Sequence, residues 1–528
     1  MTNPNTPQEG ATLTLPIGQK AITQDISRDF SLPDYQPEIK RLLRINAYPS
    51  PPRTTATRDQ MQLDGTIDYL VLYTGNDNKL YCAPLSADYA LSLPLTDTTS
   101  PLHSNWESWV GDEPVCTCHI TPTSTTGRVT APRRLSIKCH ITADVKAYAT
   151  CPTGISPHAI TTPTEVLTHT TPSLKLLRTT TPLITLQDDM ILTPTEEAHT
   201  RVVCAEGVVM VHETTPASNA VACSGEVMLK LLLAKETTDE SEQILVSQRK
   251  IPFVQTLELA GLAPSDSAVT HGTCAQMSVT FEEGKLHTEV GMVLEVVGQS
   301  NLPTAYVKDL YATTHHTQAT YATHPTEMAL LCQSGNFTLS DSVSLSDVGI
   351  PATAQVVDVS ITATPQALQQ NKGKYLLTGT CDVHLLLQQG QEYTTQTLTL
   401  PFRYGFEPRT TLPDLPDDGV VMSGRVQALT CRGRMDGERL GIDAEMSVAL
   451  RLTLPSTITT LADVSIGEQV TRPRGEYVIC FPTAGETLWD VAKKYHAPLT
   501  TLSLANGLTC ATSPDTQNSL DEVKYLIV

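Results

Sequence analysis

The sequence is short of basic charge: 36 Lys and Arg stand against 56 Asp and Glu, a formal net charge of -20. That balance disfavours a nucleic-acid or anionic-membrane binder, since either needs a basic face to meet phosphate. No apolar run reaches the roughly 18 residues that a membrane-crossing helix requires. The opening MTNPNTPQEGATLTLPIGQK has neither the basic start nor the apolar stretch of a secretory leader. The 13 cysteines include no CxxC. The nearest pair, Cys116 and Cys118, alternates along a strand-like segment, so buried reduced thiols are expected rather than a disulfide frame or a metal site. The phosphate loop GxxxxGK(S/T), the zinc motif HExxH and the nucleophile turn GxSxG are all missing. No catalytic residue, metal ligand or cofactor is assigned, and the chain is expected to be a soluble cytoplasmic protein that is not an enzyme.

What is present is repetition. At 528 residues and 40% hydrophobic content the chain is long enough for several cores. Gly65, Gly225 and Gly379 open three strands of one design, GTIDYLVLY, GEVMLKLLL and GTCDVHLLL, spaced 160 and 154 residues apart. Even offsets from the glycine give Ile67, Tyr69, Val71 and Tyr73, then Val227, Leu229, Leu231 and Leu233, then Cys381, Val383, Leu385 and Leu387. A period of two aims one apolar stripe at a core. The residues between, among them Asp68, Lys230, Asp382 and His384, suit the other face. A second strand recurs downstream as RLSIKCHITADV from Arg134, KLHTEVGMVLEV from Lys285 and RLGIDAEMSVAL from Arg439. Glu283-Gly284 and Asp436-Gly437 precede two of these with tight-hairpin chemistry. Pro84, Pro252 and Pro401 lie between the two matched strands and are read as strand-end prolines.

Upstream of each glycine strand lies a third matched piece, an Asp, a Pro and an apolar pair. In the first, Ile39, Leu42 and Leu43 fit either a helical turn or an extended run. Asp34 and Glu38 are read there as part of a structural turn. His315, His316 and His324 read as solvated polar residues, because adjacent histidines point to opposite sides of a strand. The fold class is therefore mainly β, with three tandem antiparallel β-rich domains at 20–150, 165–298 and 303–455, a Thr/Ser/Pro-rich linker at 455–474 and a small module at 475–528.

The first unit's LPDYQPEIKRLLRINAYP, followed by DGTIDYLVLYT, resembles the SPOCS domain of endospore-forming bacteria, and YVKDLYATTHH (306–316) resembles that family's joint between repeats. The resemblance implies a non-enzymatic protein of the mother cell that tethers or assembles the spore coat at the forespore surface. Its implied partner is a spore-coat morphogenetic ATPase similar to stage IV sporulation protein A.

The end of the chain reads differently. YVICF is a short strand; Thr487 and Asp490 fit a capping box; Leu488, Val491, Ala492 and Tyr495 share one helical face. Pro498 can start a second helix carrying Leu499 and Leu502, Gly507 can end it, and KYLIV closes with a strand. This βααβ order, with GETLWDVAKKY and LANGL, resembles a LysM domain. The resemblance implies a groove between Gly485, Glu486, Thr487 and Leu488 on one side and Asn506, Gly507 and Leu508 on the other. Such grooves bind N-acetylglucosamine polymers such as peptidoglycan. Here TCATSPDTQNSLDE stands where a short turn is usual, which favours docking of a protein over a glycan. Trp489 is read as part of the module's core. The alternative function is a glycan-binding protein of the spore envelope, or a targeting subunit of a cell-wall hydrolase.

Overall fold

The structure is a computed structural model that describes residues 9–57, 60–94, 113–155, 162–196, 201–236, 242–282, 284–371, 374–408, 419–471, 478–508, 520 and 523–528. It is mainly β, built from antiparallel sheets. The first part of the chain forms β1 (Glu9–Ser31), β2 (Arg41–Pro49), β3 (Arg53–Ala56), β4 (Gln60–Thr74), β5 (Leu80–Pro94), β6 (Val115–Ala131) and β7 (Arg134–Ile155). Strand β7 lies between β1 and β6 in one sheet, and β4 is flanked by β2, β3 and β5 in another. The middle forms β8 (Thr164–Thr180), β9 (Ile184–Ile191), β10 (Arg201–Ala217), β11 (Ala220–Glu236), β12 (Glu242–Glu258), β13 (Ser267–Glu282) and β14 (Lys285–Ala312). Its sheets are β13-β14-β8, with β9 also on β14, and β10-β11-β12. The third part forms β15 (His315–Ser344), β16 (Gln355–Asn371), β17 (Lys374–Gln389), β18 (Glu392–Phe406), β19 (Val421–Asp436) and β20 (Arg439–Gln469), paired as β15-β20-β19 and β16-β17-β18.

The same pair of sheets thus occurs three times, and the two strands matched in the sequence are the central strand of each. Their stripes are the cores: Ile67, Tyr69, Val71, Tyr73 and their counterparts in β11 and β17 are buried, as are Leu135, Ile137, Cys139, Ile141 and theirs in β14 and β20. The repeated glycine also has a steric reason. Gly65, Gly225 and Gly379 lie opposite Tyr89, Phe253 and Phe402 in register. Each aromatic ring lies over its glycine, so close that a Cβ on Gly379 would fall 2.6 Å from Phe402 and 2.3 Å from the Thr364 carbonyl. Cross-strand aromatics over a glycine hold register without a side chain there. Gly284 and Gly437 take positive φ at the β13–β14 and β19–β20 turns; Glu283 lies outside the described residues.

Of the two conformations open to Leu42 and Leu43 the extended one is taken, within β2, with Leu43 buried. Three local expectations change. Pro84, Pro252 and Pro401 fall inside β5, β12 and β18 rather than at strand ends; each is an outer strand of its sheet, where a missing N–H costs no ladder bond. The 298–303 boundary lies inside β14, which pairs with β8 through Ala312 with one bulge between Val307 and Asp309. The 455–474 linker is strand as far as Gln469, paired with the start of β15, and 472–474 lies outside the described residues. Its threonines, β-branched, favour the extended backbone that was read as linker.

The three parts close on one another as a ring: β5 packs on β10, β12 on β16, and β18 back on β2. Leu72, Leu232 and Leu386, at one offset from the three glycines, meet in a single apolar cluster with Leu43, Val203 and Val357. Below it lies a buried ionic group. Arg44 contacts Asp358 at 2.7 Å and Glu206 at 3.3 Å, while Lys230 contacts Glu206 at 2.8 Å and Asp358 at 3.0 Å. Asn46 adds a bond to Glu206 at 2.8 Å. Two cations and two anions alternate, one or more from each unit. Burial pushes Arg44 and Lys230 toward the neutral form, but the two carboxylates outweigh it and hold both charged. On the face expected to carry polar residues, Lys230 therefore lies at the junction between units.

Candidate functional site

The C-terminal module forms β21 (Ile479–Cys480), α1 (Leu488–Lys494), α2 (Leu499–Ala505) and β22 (Leu526–Ile527). The capping box at Thr487 is present: its side chain accepts from the Asp490 amide at 3.3 Å, and Asp490 accepts from the Thr487 amide at 2.9 Å. Leu488, Val491 and Ala492 are buried, while Tyr495 is half-buried at the helix end. Pro498 precedes α2, and Gly507 follows it at φ 63°.

The residues expected to line a groove are largely engaged within the module. Gly485 takes φ 80° in the loop before α1. Glu486 accepts from the Thr483 amide at 2.9 Å and hydroxyl at 3.1 Å, and its carbonyl accepts from the Leu520 amide at 3.4 Å. Asn506 clamps β22, donating to the Ile527 carbonyl at 2.9 Å and accepting from the Ile527 amide at 2.7 Å. Leu508 closes α2 through its amide on the Ser503 carbonyl at 2.9 Å. Leu488 and Leu508 belong to one apolar cluster. Of TCATSPDTQNSLDE, residues 509–519 and 521–522 lie outside the described residues.

The module is seated on the β body at the joint between the second and third units. Trp489 is buried as expected, yet it packs edge-on against Tyr311 with ring centroids 4.9 Å apart, and its Nε1 donates to Asp309 at 2.8 Å. Asp309 also receives Lys493 Nζ at 2.8 Å and the Tyr321 hydroxyl at 2.7 Å. Burial alone would raise the Asp309 carboxyl; hydrogen bonds from Lys493, Trp489 and Tyr321 outweigh it and hold it below its ordinary value. Tyr311 donates its hydroxyl to the Ala497 carbonyl at 2.7 Å, and Glu165 accepts the Leu499 amide at 3.2 Å. His316 is exposed, with its ring edge-on to His496, whereas His324, expected among solvated residues, is buried beside the Thr460 hydroxyl at 3.0 Å. Asp34 stays exposed in its turn, held by Arg133.

The opposite side of the module is apolar and exposed. Ile479 and Ile527 face each other across the two-stranded sheet, and by alternation Phe481 and Tyr525 share their side. Phe481 is 71% exposed, and Val478, Ile479, Tyr525 and Ile527 are exposed as well. Leu504, on α2, is 81% exposed. Six large apolar residues are thus uncovered on one small module, and the four that share a side of the sheet form a patch, which single exposed hydrophobics do not. Neither the seat nor the patch was picked out from the sequence. The available signals were the odd stretch YVKDLYATTHH, and YVICF, a strand too short for its buried face to be chosen.

No helix among the described residues is long and apolar enough to cross a membrane. No protein-family model, curated protein or solved structure matches this chain.

Proposed function

We propose that the chain is a non-enzymatic adaptor of endospore formation that tethers or assembles the spore coat at the forespore surface. The observation that carries this reading is the two-sided C-terminal module. One side is fixed to the β body by Trp489, Lys493 and Asp309, and the other presents Ile479, Phe481, Tyr525 and Ile527 outward. A rigidly mounted apolar face suits a protein partner, since aromatic anchors on a pre-organised surface lose little entropy on binding. The resemblance of the three units to SPOCS domains and of the module to LysM names the partner, an ATPase similar to stage IV sporulation protein A.

The test is a pull-down from sporulating cells with the full chain and with Phe481→Glu and Ile479→Glu. Loss of the ATPase from both variants, with unchanged circular dichroism, is the expected result; undiminished capture rejects the reading. A second reading, binding of peptidoglycan or another N-acetylglucosamine polymer, is favoured by the exposed rings of Phe481 and Tyr525, which suit stacking on sugar faces. Titration with chitin oligomers separates the two.

A further inference from the structure

Beside the junction between β-units lies a cavity of about 310 Å3 lined by strands of all three. Three of its lining groups occupy one position of the repeat. His119 pairs in register with Asp144, His271 with Glu295, and Arg425 with Ala449. Those partners stand at one offset from Arg134, Lys285 and Arg439, so the two imidazoles and the guanidinium converge from three equivalent directions. Arg451 lines the same space.

The charges there do not balance. Arg451 is 5% exposed, and its contacts are neutral and long: Ser423 at 3.4 Å, with Gln299 and the Tyr148 hydroxyl each at 3.5 Å. The Tyr148 ring centroid lies 5.9 Å from its guanidinium carbon. Arg425 has the Thr273 hydroxyl at 3.1 Å. Among the described residues neither guanidinium meets a carboxylate. The acids nearby are spoken for or outside: Glu295 holds Arg178 at 2.6 Å, Glu327 holds Lys146, and Asp144 is exposed near exposed Lys20. The imidazole rings of His119 and His271 have no hydrogen-bond partner among the described residues. Burial, then the nearby Arg425 charge, pushes both rings down to about 3, so each is neutral and keeps one N–H to donate. A buried cation without an acid is costly to hold, and an anion in the cavity removes that cost.

We propose that this cavity is a binding site for a small tetrahedral oxyanion of the phosphate class. Arg425 and Arg451 supply the charge, and His119 and His271 donate from the other two units. Basic groups arriving from three equivalent directions match the three-oxygen face of a phosphate, and the planar guanidinium is the side chain best shaped for it.

The experiment uses the full chain and inorganic phosphate at fixed ionic strength, with chloride as control. The thermal midpoint of the wild type is expected to rise saturably with phosphate, as a ligand of the native state requires. Arg451→Gln and Arg425→Gln are expected to lose that response. In phosphate-free buffer Arg451→Gln should unfold at or above the wild-type midpoint, because it removes an uncompensated buried charge; a merely structural arginine would do the reverse. Should either variant fail to fold, 31P line broadening on the wild type, reversed by excess sulfate but not by acetate, carries the test. A flat wild-type response, or equal responses in wild type and variants, overturns the site. A glycerol phosphate arm tells a free ion from the end of a phosphomonoester: tighter binding than inorganic phosphate assigns the latter.

Discussion

Asp358→Asn is the sharpest probe of how the three units are held together. Asp358 is buried and accepts from Arg44 at 2.7 Å and from Lys230 at 3.0 Å. The substitution keeps the shape and removes one charge, leaving two cations against Glu206 alone. Removing one member of a buried ion pair costs about 3–5 kcal/mol, because the charge left behind is neither hydrated nor matched. Asn still accepts a hydrogen bond, so the lower end, about 3 kcal/mol, is expected. With a urea slope of about 3 kcal/mol per molar, the unfolding midpoint followed by circular dichroism should fall by about 1 M. Adding Lys230→Met restores the balance, leaving Arg44 with Glu206, and should recover most of the loss. The sign with pH follows from Asp358 itself. Burial raises its carboxyl, but Lys230 and Arg44 outweigh that and hold it below 3.8. Its stabilisation is therefore complete above its unfolded value and disappears as pH falls through the lower, folded one. The wild-type advantage should persist at pH 5 and vanish only in strong acid. A midpoint within about 0.2 M of wild type, or a double variant no better than the single one, refutes the reasoning.

Other expectations are simpler. Trp489→Ala removes the ring against Tyr311 and should cost the module about 3–5 kcal/mol, seen as faster amide exchange across α1 and α2 with the β body unchanged. Docking of the module should weaken only as pH falls through the depressed Asp309 carboxyl or rises through the raised Lys493 ammonium: burial opposes both shifts, but hydrogen bonds from Lys493, Trp489 and Tyr321 outweigh it at Asp309, and Asp309 and Tyr321 outweigh it at Lys493. The pH dependence of exchange in α1 checks both limits. Gly225→Ala places a Cβ 2.1 Å from the Met210 carbonyl and should destabilise by about 1–3 kcal/mol in thermal melts. The Cys82 and Cys204 sulfurs lie 2.9 Å apart across β5 and β10, so diamide, as the two-electron oxidant, should join them. The reaction should be faster at pH 9, since the bond to Cys82 and then burial push the Cys204 thiol up. Peptide mapping that finds both thiols free after treatment would count against it.

Strand type, central-strand identity and the buried stripes were legible because a period of two, repeated three times, leaves few ways to bury the even offsets of Gly65, Gly225 and Gly379. The capping box at Thr487 was legible because it is local. Lys230 was harder to place: a lysine between apolar residues reads as solvent-facing until Glu206 and Asp358, remote in sequence, close over it. Strand ends failed for a similar reason. Prolines and threonines at 455–469 describe local preference, whereas pairing with β15 depends on a strand that begins at His315. The seat at Asp309 and Tyr311 was invisible because its partners, Trp489 and Lys493, belong to a helix whose amphipathic face already had a core to serve.

One consequence of closing a ring with a single chain lies at its centre. In three identical subunits about an axis, every axial position would carry the same residue three times, and a buried charge would meet two of its own sign. Here equivalent positions differ. Arg44, Cys204 and Asp358 share one place in the repeat, as do Leu70, Lys230 and His384, set by their pairing partners in β4, β11 and β17. Divergence at these places turns like-charge contact into alternation, Arg44 to Asp358 and Lys230 to Glu206. Where packing alone is needed, the residue stays the same, as at Leu72, Leu232 and Leu386. The ionic group therefore ties each unit to both of the others. Reversing all four charges together keeps the alternation and should preserve the fold, whereas swapping Arg44 and Asp358 alone should not, because it sets the new anion beside Glu206 and the new cation beside Lys230.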